Sequence, residues 1–519
     1  MTSIRSFAAT SASFPGQLAE MRAALQVADV ARLIKITHAL SDAGKLYGYP
    51  ALTMLAQKLE QSLLQGCDAP LLTGYVDQIQ QTIRQIEVGI QQSQSHHYLA
   101  LAWSTHQGCV TMLRISCLFV SLFIVAGASS EDWPGFRGSQ RDAISTEKGL
   151  LTSWPEAGPT LLWTITDVGA GLSGMAIAQD RLFTMGQFED GQYVLCYNLK
   201  DNKLLWKQKN GGEFKNSFGD GPRCTPTIDG EVLYALGSQG DLQCLNVSDG
   251  SERWKVNILE TYGGENIIWG ISESPLVVGD KLIVTPGGTG GTMIALDKTT
   301  GRAIWRARDP SNNGAESAGY ASPLAITVGN MQQIVTFTSK GAIGVQATDG
   351  KFLWRYDQMA NGTANCATPV YANNKILFSS DYGTGCALLE LKPDGTATEV
   401  YFHKNFRNHH GGYLLLDQHV YGYDSGTLVC MEWATGKIKW KDRSVGKGSV
   451  TYADGMLYVL SEKGMMGLVK AVPTGYQEIS RFKLKDTSDK ESWVYPVISN
   501  GKLYLRDQQR IWCYDVKKN

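Results

Sequence analysis

The chain has 519 residues, too many for one ordinary domain, so at least two units are expected. A formal net charge of -1, with 43% hydrophobic and 19% charged residues, fits a soluble globular protein and gives no electrostatic reason for a nucleic-acid partner. The 56 glycines and 13 tryptophans suit many short strands joined by tight turns; few of those glycines fall in the first hundred residues, which marks a boundary.

Residues 14 to about 90 read as helical, with Leu33, Ile36, Leu40, Ala43 and Tyr47 at helical spacing. Asp29 can cap that helix, Gly48 ends it, and Pro50 suits the first turn of the next. Further helices are expected from about Ala51 to Leu64 and from about Pro70 to Ile90, which predicts a small antiparallel four-helix bundle within residues 1–95. His38-Ala39-Leu40-Ser41-Asp42-Ala43-Gly44-Lys45 resembles the histidine phosphotransfer motif of bacterial phosphorelays. That resemblance implies a cytoplasmic module in which His38 accepts a phosphoryl group from a response-regulator receiver domain, with Lys35, Ser41 and Lys45 supporting the phosphate. The family usually has Lys and then Gly at the places of Ser41 and Asp42, and Asp42 would repel a phosphoryl group.

Residues 96–130 read as a linker. Within it, Met112 and Arg114 precede an apolar run from Ile115 to Val125 and then Ala126-Gly127-Ala128, the grammar of a secretory signal peptide in mid-chain. The run is shorter than the roughly 20 residues that span a bilayer as a helix. Two readings stand. In one, an uncleaved segment 115–128 anchors the chain to a membrane, with the bundle inside and the rest of the chain outside. In the other, two genes are fused in the record and Met112 starts a secreted or periplasmic protein that matures near Ser129.

From 131 to 519 the period changes to short β-rich runs. One unit recurs: an apolar strand, a Gly-bearing turn, then Trp four residues after the Gly, as in Gly250–Trp254, Gly301–Trp305, Gly350–Trp354 and Gly436–Trp440. Trp206, Trp254, Trp305 and Trp354 lie 48, 51 and 49 residues apart, a period of propeller blades or a solenoid. Leu389 to about Phe402 and Val469 to about Phe482 are degenerate copies without the Trp. Cys196, Cys244 and Cys430 share one small-residue place, filled elsewhere by Ala295 or Gly344, and Cys513 is expected there too. A bridge among Cys224, Cys366 and Cys386 stays open. Counting starts gives eight blades. Trp163 lies in a final strand without a blade before it, and Trp512 in a strand without a final strand after it, so joining the termini closes the eighth.

This region resembles the pyrroloquinoline-quinone-like propeller family, and Trp133-Pro134-Gly135-Phe136-Arg137-Gly138 looks like the leading segment of its bacterial secreted members. The resemblance implies an all-β eight-bladed propeller, a fold that serves dehydrogenases, outer-membrane assembly factors and plain binding scaffolds. The residues favour a non-catalytic scaffold for an unknown protein or small ligand, with no cofactor, because the family's Cys-Cys pair and a Cys-x-x-Cys-His haem motif are both absent. The alternative is a periplasmic alcohol dehydrogenase dependent on pyrroloquinoline quinone and Ca²⁺. Arg223, Trp269, Glu273, Tyr320, Asn365, His409, His410 and Trp493 fall at the starts of innermost strands and are expected at the channel mouth; no metal site is assigned. On a strand, His409 and His410 would face opposite ways.

Overall fold

The computed structural model describes residues 132–310 and 316–518, together with residues 29, 30, 32–37 and scattered positions between 56 and 79. The chain divides into two units, 1–124 and 125–519. In the first, residues 32–37 are helical and Asp29 caps them, its Oδ1 accepting from the Arg32 N–H at 3.1 Å. Leu33, Ile36, Ala56, Leu59, Leu63, Leu72, Val76 and Ile79 are helical and buried, and Lys35 is exposed. His38, Ser41 and Lys45 lie outside the described residues, as do most positions of the expected bundle and the apolar segment 115–128. Among the described residues, no helix is long and apolar enough to cross a membrane.

The second unit is an all-β propeller of eight four-stranded antiparallel sheets. The first blade runs through Ala176–Ala178, Arg181–Phe188, Gly191–Asn198 and Leu204–Gly211. The next six follow in order, their innermost strands starting at Thr227, Leu276, Leu324, Val370, Tyr413 and Gly448. The eighth consists of Val497–Ser499, Lys502–Asp507 and Arg510–Asp515, and Thr160–Ile165 pairs antiparallel with the last of these as its fourth strand. The two ends of the β region therefore close the ring, which leaves no free inner edge between first and last blade.

The repeat explains how blades lock. Each small residue faces its tryptophan across the pair of outer strands: Cys196 to Trp206, Cys244 to Trp254, Ala295 to Trp305, Gly344 to Trp354, Cys430 to Trp440 and Cys513 to Trp163. A larger side chain there would collide; even a methyl on Gly344 would come within 2.3 Å of the Trp354 ring. The indole then reaches the next blade. Trp206, Trp254, Trp305 and Trp440 donate to the carbonyls of Val247, Lys298, Ala347 and Val472 at 2.8–3.1 Å. Gly250, Gly301 and Gly350 each lie against the tryptophan of the preceding blade, where a Cβ would stand 2.5–2.7 Å from the ring. The turn needs glycine for this approach. Each buried or half-buried indole removes on the order of 200 Å² from water, worth several kcal/mol before entropy at ~25 cal/mol per Å².

The two degenerate blades solve the same problem differently. In the fifth, Tyr401 rather than Phe402 takes the tryptophan place opposite Leu388, and its hydroxyl donates to the Trp433 carbonyl at 3.0 Å. In the seventh, Ser480 stands opposite Leu468, and Trp154 from the leading segment packs beside it against Tyr458 and Phe482. All seven cysteines beyond residue 131 are free, so no bridge joins Cys224, Cys366 and Cys386.

The segment 133–145 threads the ring. Trp133 pairs with Ile177 of the first blade, Pro134 accepts from Ile228 of the second, and Ala143 to Ser145 pair with Tyr452 of the seventh. Two buried arginines rise from it. Arg137 donates to the carbonyls of Thr368 and Tyr413, and Arg141 to those of Ser274, Pro275 and Pro323. The third to sixth blades are thus tied from within. A backbone carbonyl is a good partner for a buried guanidinium because it satisfies the N–H groups without adding a second ion.

Candidate functional site

Above this plug, at the starts of the innermost strands, lies a cavity of about 280 Å³. Its lining includes Arg223, Trp269, Tyr320, His409, His410 and Trp493, six of the eight residues expected there, together with Phe136, Phe218, Cys366, Tyr382, Lys447, Glu491 and Tyr495. Phe136 of the plug meets Tyr495 edge-on at 5.5 Å.

The other two residues do not line it. Glu273 is 2% exposed, and its carboxylate accepts from the backbone N–H and the hydroxyl of Thr285 inside the third blade. Burial pushes its carboxyl up to about 7. Asn365 donates to the carbonyls of Thr338 and Ser339 and accepts from the Asn361 N–H and the Ser380 hydroxyl, all at 3.0–3.1 Å. Both side chains are spent on joining loops and strands, which a position at a strand start does not reveal.

The two histidines depart from the strand expectation. The strand begins only at Tyr413, so residues 408–411 are free to turn both rings to one side. Their Nδ1 atoms are 2.9 Å apart. His409 Nε2 lies 3.0 Å from the Tyr382 hydroxyl, and His410 Nε2 lies 3.2 Å from Glu462 Oε1 in a bent, electrostatic contact rather than a straight hydrogen bond. Glu462 Oε1 also takes Lys447 Nζ and Trp493 Nε1, each at 3.1 Å. One protonation pattern suits all of this: Tyr382 donates to His409, His409 donates through Nδ1 to His410, and His410 turns its Nε2–H to an ionised Glu462. Burial, then the neighbouring His410 and Lys447, draw His409 down to about 3, and burial likewise lowers His410. Burial opposes ionisation of Glu462, but His410 and the Lys447 ammonium hold its carboxyl at about 2.

Gly412 makes this arrangement possible. At φ +67° it sits where a Cβ would come 2.3 Å from the Tyr495 hydroxyl, which donates to the His410 carbonyl at 2.8 Å.

On the opposite side the lining is aromatic. Ring centroids follow one another from Tyr320 to Trp269 at 5.5 Å, Trp269 to Phe218 at 6.2 Å, Phe218 to Trp493 at 6.1 Å and Trp493 to His410 at 4.9 Å. Arg223 lies beneath, 9% exposed, donating to the carbonyls of Gly219 and Gly221. Burial lowers its guanidinium to about 10. Cys366, half-buried in the lining, is pushed by desolvation up to about 12 and stays a thiol.

The profile of the family described as outer membrane protein assembly factor BamB matches residues 147–264 and 217–442, together more than half of the chain. The chain belongs to this family. The BamB of Burkholderia pseudomallei (strain K96243) is 26% identical over 216 residues, 41% of this chain and 50% of that relative, so the match spans half of the relative's length. Among solved structures, the quinohemoprotein alcohol dehydrogenase of Comamonas testosteroni has a TM-score of 0.56 at 12% identity, covering 75% of this chain and 81% of its own. A quinohemoprotein alcohol dehydrogenase from Pseudomonas putida HK5 gives 0.53 at 12% identity over the same shares. At these identities the two dehydrogenases share the fold alone.

Proposed function

We propose that the propeller is a non-catalytic binding scaffold in the periplasm, and that the aromatic-lined channel mouth is where its partner docks. The partner class is taken from the relative, an outer membrane protein assembly factor. It is a protein segment rather than a small metabolite to be oxidised.

The observation that carries this reading is the commitment of the oxygen ligands. A quinone with Ca²⁺ needs an ion held by six to eight oxygens, and chemistry at the ion needs a free base beside it. The carboxylate of Glu273 and the amide of Asn365 are turned into the blades, and Glu462 is taken up by Lys447, Trp493 and His410. Among the described residues, no three His, Cys, Asp or Glu side chains gather as a metal site. The donor set does not fit the cofactor pair. The test is to add pyrroloquinoline quinone and Ca²⁺ to the purified chain and assay dye-linked alcohol oxidation. Turnover no higher than in the protein-free control is expected. Robust turnover that disappears in Glu273→Gln would establish the dehydrogenase instead.

For the rest of the chain the reading rests on sequence motifs. Residues 112–128 direct the propeller out of the cytoplasm, and N-terminal sequencing of the propeller from native cells should give a start near Ser129. His38 of the N-terminal module takes phosphate from a receiver domain; label from a phosphorylated receiver should be lost in His38→Gln.

A further inference from the structure

The charges around the mouth are not balanced evenly. Lys447 has its counter-ion in Glu462 at 3.1 Å, and Glu491 at the rim faces Lys463 at 3.9 Å. Arg223 has no carboxylate within ion-pair distance among the described residues. Two of its N–H groups go to backbone carbonyls, and its buried Nε has no partner. Asp220, three residues away in the chain, accepts from the Asn216 N–H at 2.8 Å and touches Arg223 only through space. A guanidinium held nine-tenths out of water without an anion is costly, and an arriving carboxylate repays that cost by charge-assisted hydrogen bonds. A cationic ligand would meet Arg223 and be repelled. Of the two cations that line the cavity, Lys447 is ion-paired and Arg223 is not.

The body of the ligand follows from the wall. The arc Tyr320, Trp269, Phe218 and Trp493 presents ring faces and edges at 5.5–6.2 Å centroid spacing, the arrangement in which a further ring gains offset or edge-on contacts. Phe218 is 46% exposed, with apolar surface left to cover. A cavity of about 280 Å³ has room for one such ring and not for a folded element.

Resting on the reading of the mouth as the docking site, we propose that it takes one carboxylate carried on an aromatic body, with Arg223 meeting the carboxylate and the Trp269–Phe218–Trp493 arc covering the ring. Two sources have this chemistry: a free aromatic acid, and a C-terminal aromatic residue of a polypeptide.

The test titrates the full chain with N-acetylphenylalanine and with its uncharged amide, and with a hexapeptide ending in Phe as free acid and as amide, following tryptophan fluorescence. At least one acid should bind ten times or more tighter than its amide. Arg223→Gln should bring that ratio to about one, and Arg223→Lys, which keeps a charge there, should restore part of it. Far-ultraviolet circular dichroism and the thermal midpoint show whether each variant is folded; if Arg223→Gln is not, the acid-to-amide ratio in the wild type and in Arg223→Lys decides. Binding by the peptide acid alone assigns the polypeptide terminus, and binding by the free acid alone assigns the small molecule. Equal binding of acid and amide, no binding of any probe, or a ratio that survives Arg223→Gln overturns the proposal. A partner that still cross-links at the mouth in that case leaves the scaffold standing without the carboxylate.

Discussion

The Nδ1 atoms of His409 and His410 lie 2.9 Å apart, so the two rings share one hydrogen and cannot both be charged without breaking the contact. Burial holds His409 at about 3, below its ordinary 6.5. The unfolded chain therefore binds a proton that the native state refuses, and stability falls as pH drops from about 6.5 toward 3. The slope from this one group is at most about 1.4 kcal/mol per pH unit. Glu273, raised to about 7, contributes with the opposite sign over part of this window, so the check is a difference: between pH 7.5 and 4.5 the denaturant midpoint of the wild type should fall relative to that of His409→Gln. An unchanged slope in the variant would place the acid sensitivity elsewhere.

Glycine at 301 should be irreplaceable for steric reasons. It has φ +71°, and its Cβ would stand 2.7 Å from the Trp254 ring of the preceding blade. Gly301→Ala should lose about 2 kcal/mol or more, from left-handed strain and displacement of the indole. Gly230, with φ +61° and open space around it, should lose only the strain. Comparing the two alanine variants by denaturation separates packing from backbone conformation.

Removing the plug's guanidinium should weaken the ring without touching the mouth. Arg141→Met leaves the carbonyls of Ser274, Pro275 and Pro323 without these partners, at about 1–3 kcal/mol per buried group left unsatisfied. A fall in thermal midpoint on the order of 5 °C is expected. A change below one degree would mean that water replaces the guanidinium at no cost.

The blades were readable because a tryptophan, a glycine four residues earlier and a small residue ten earlier recur in one period, and all three take part in the same packing. Ring closure followed from two incomplete ends, Trp163 and Trp512. The substitutes were not readable. Tyr401 is one place off the expected Phe402, because the turn after Leu388 is longer than in the other blades and breaks the ten-residue spacing, and Trp154 comes from a distant segment outside its blade that leaves no periodic trace. The plug was hidden for a similar reason: Arg137 and Arg141 lie in an irregular loop, and only the fold brings four blades' carbonyls around them. At the mouth, strand starts located Arg223, Trp269, Tyr320, His409, His410 and Trp493. Position alone could not distinguish these from Glu273 and Asn365, which turn into the blades, nor find Phe218, Tyr382 and Lys447 on the loops between.

The most direct measurement places a photo-crosslinkable residue at Phe218 or Tyr382 on the mouth, and at Ile304 on the outer strand of the third blade, in the full chain expressed in its native cells. The scaffold account predicts one common protein adduct from both mouth positions and none from Ile304, which is exposed but lies on the blade's outer edge. An adduct from Ile304 with none from Phe218 or Tyr382 would contradict it.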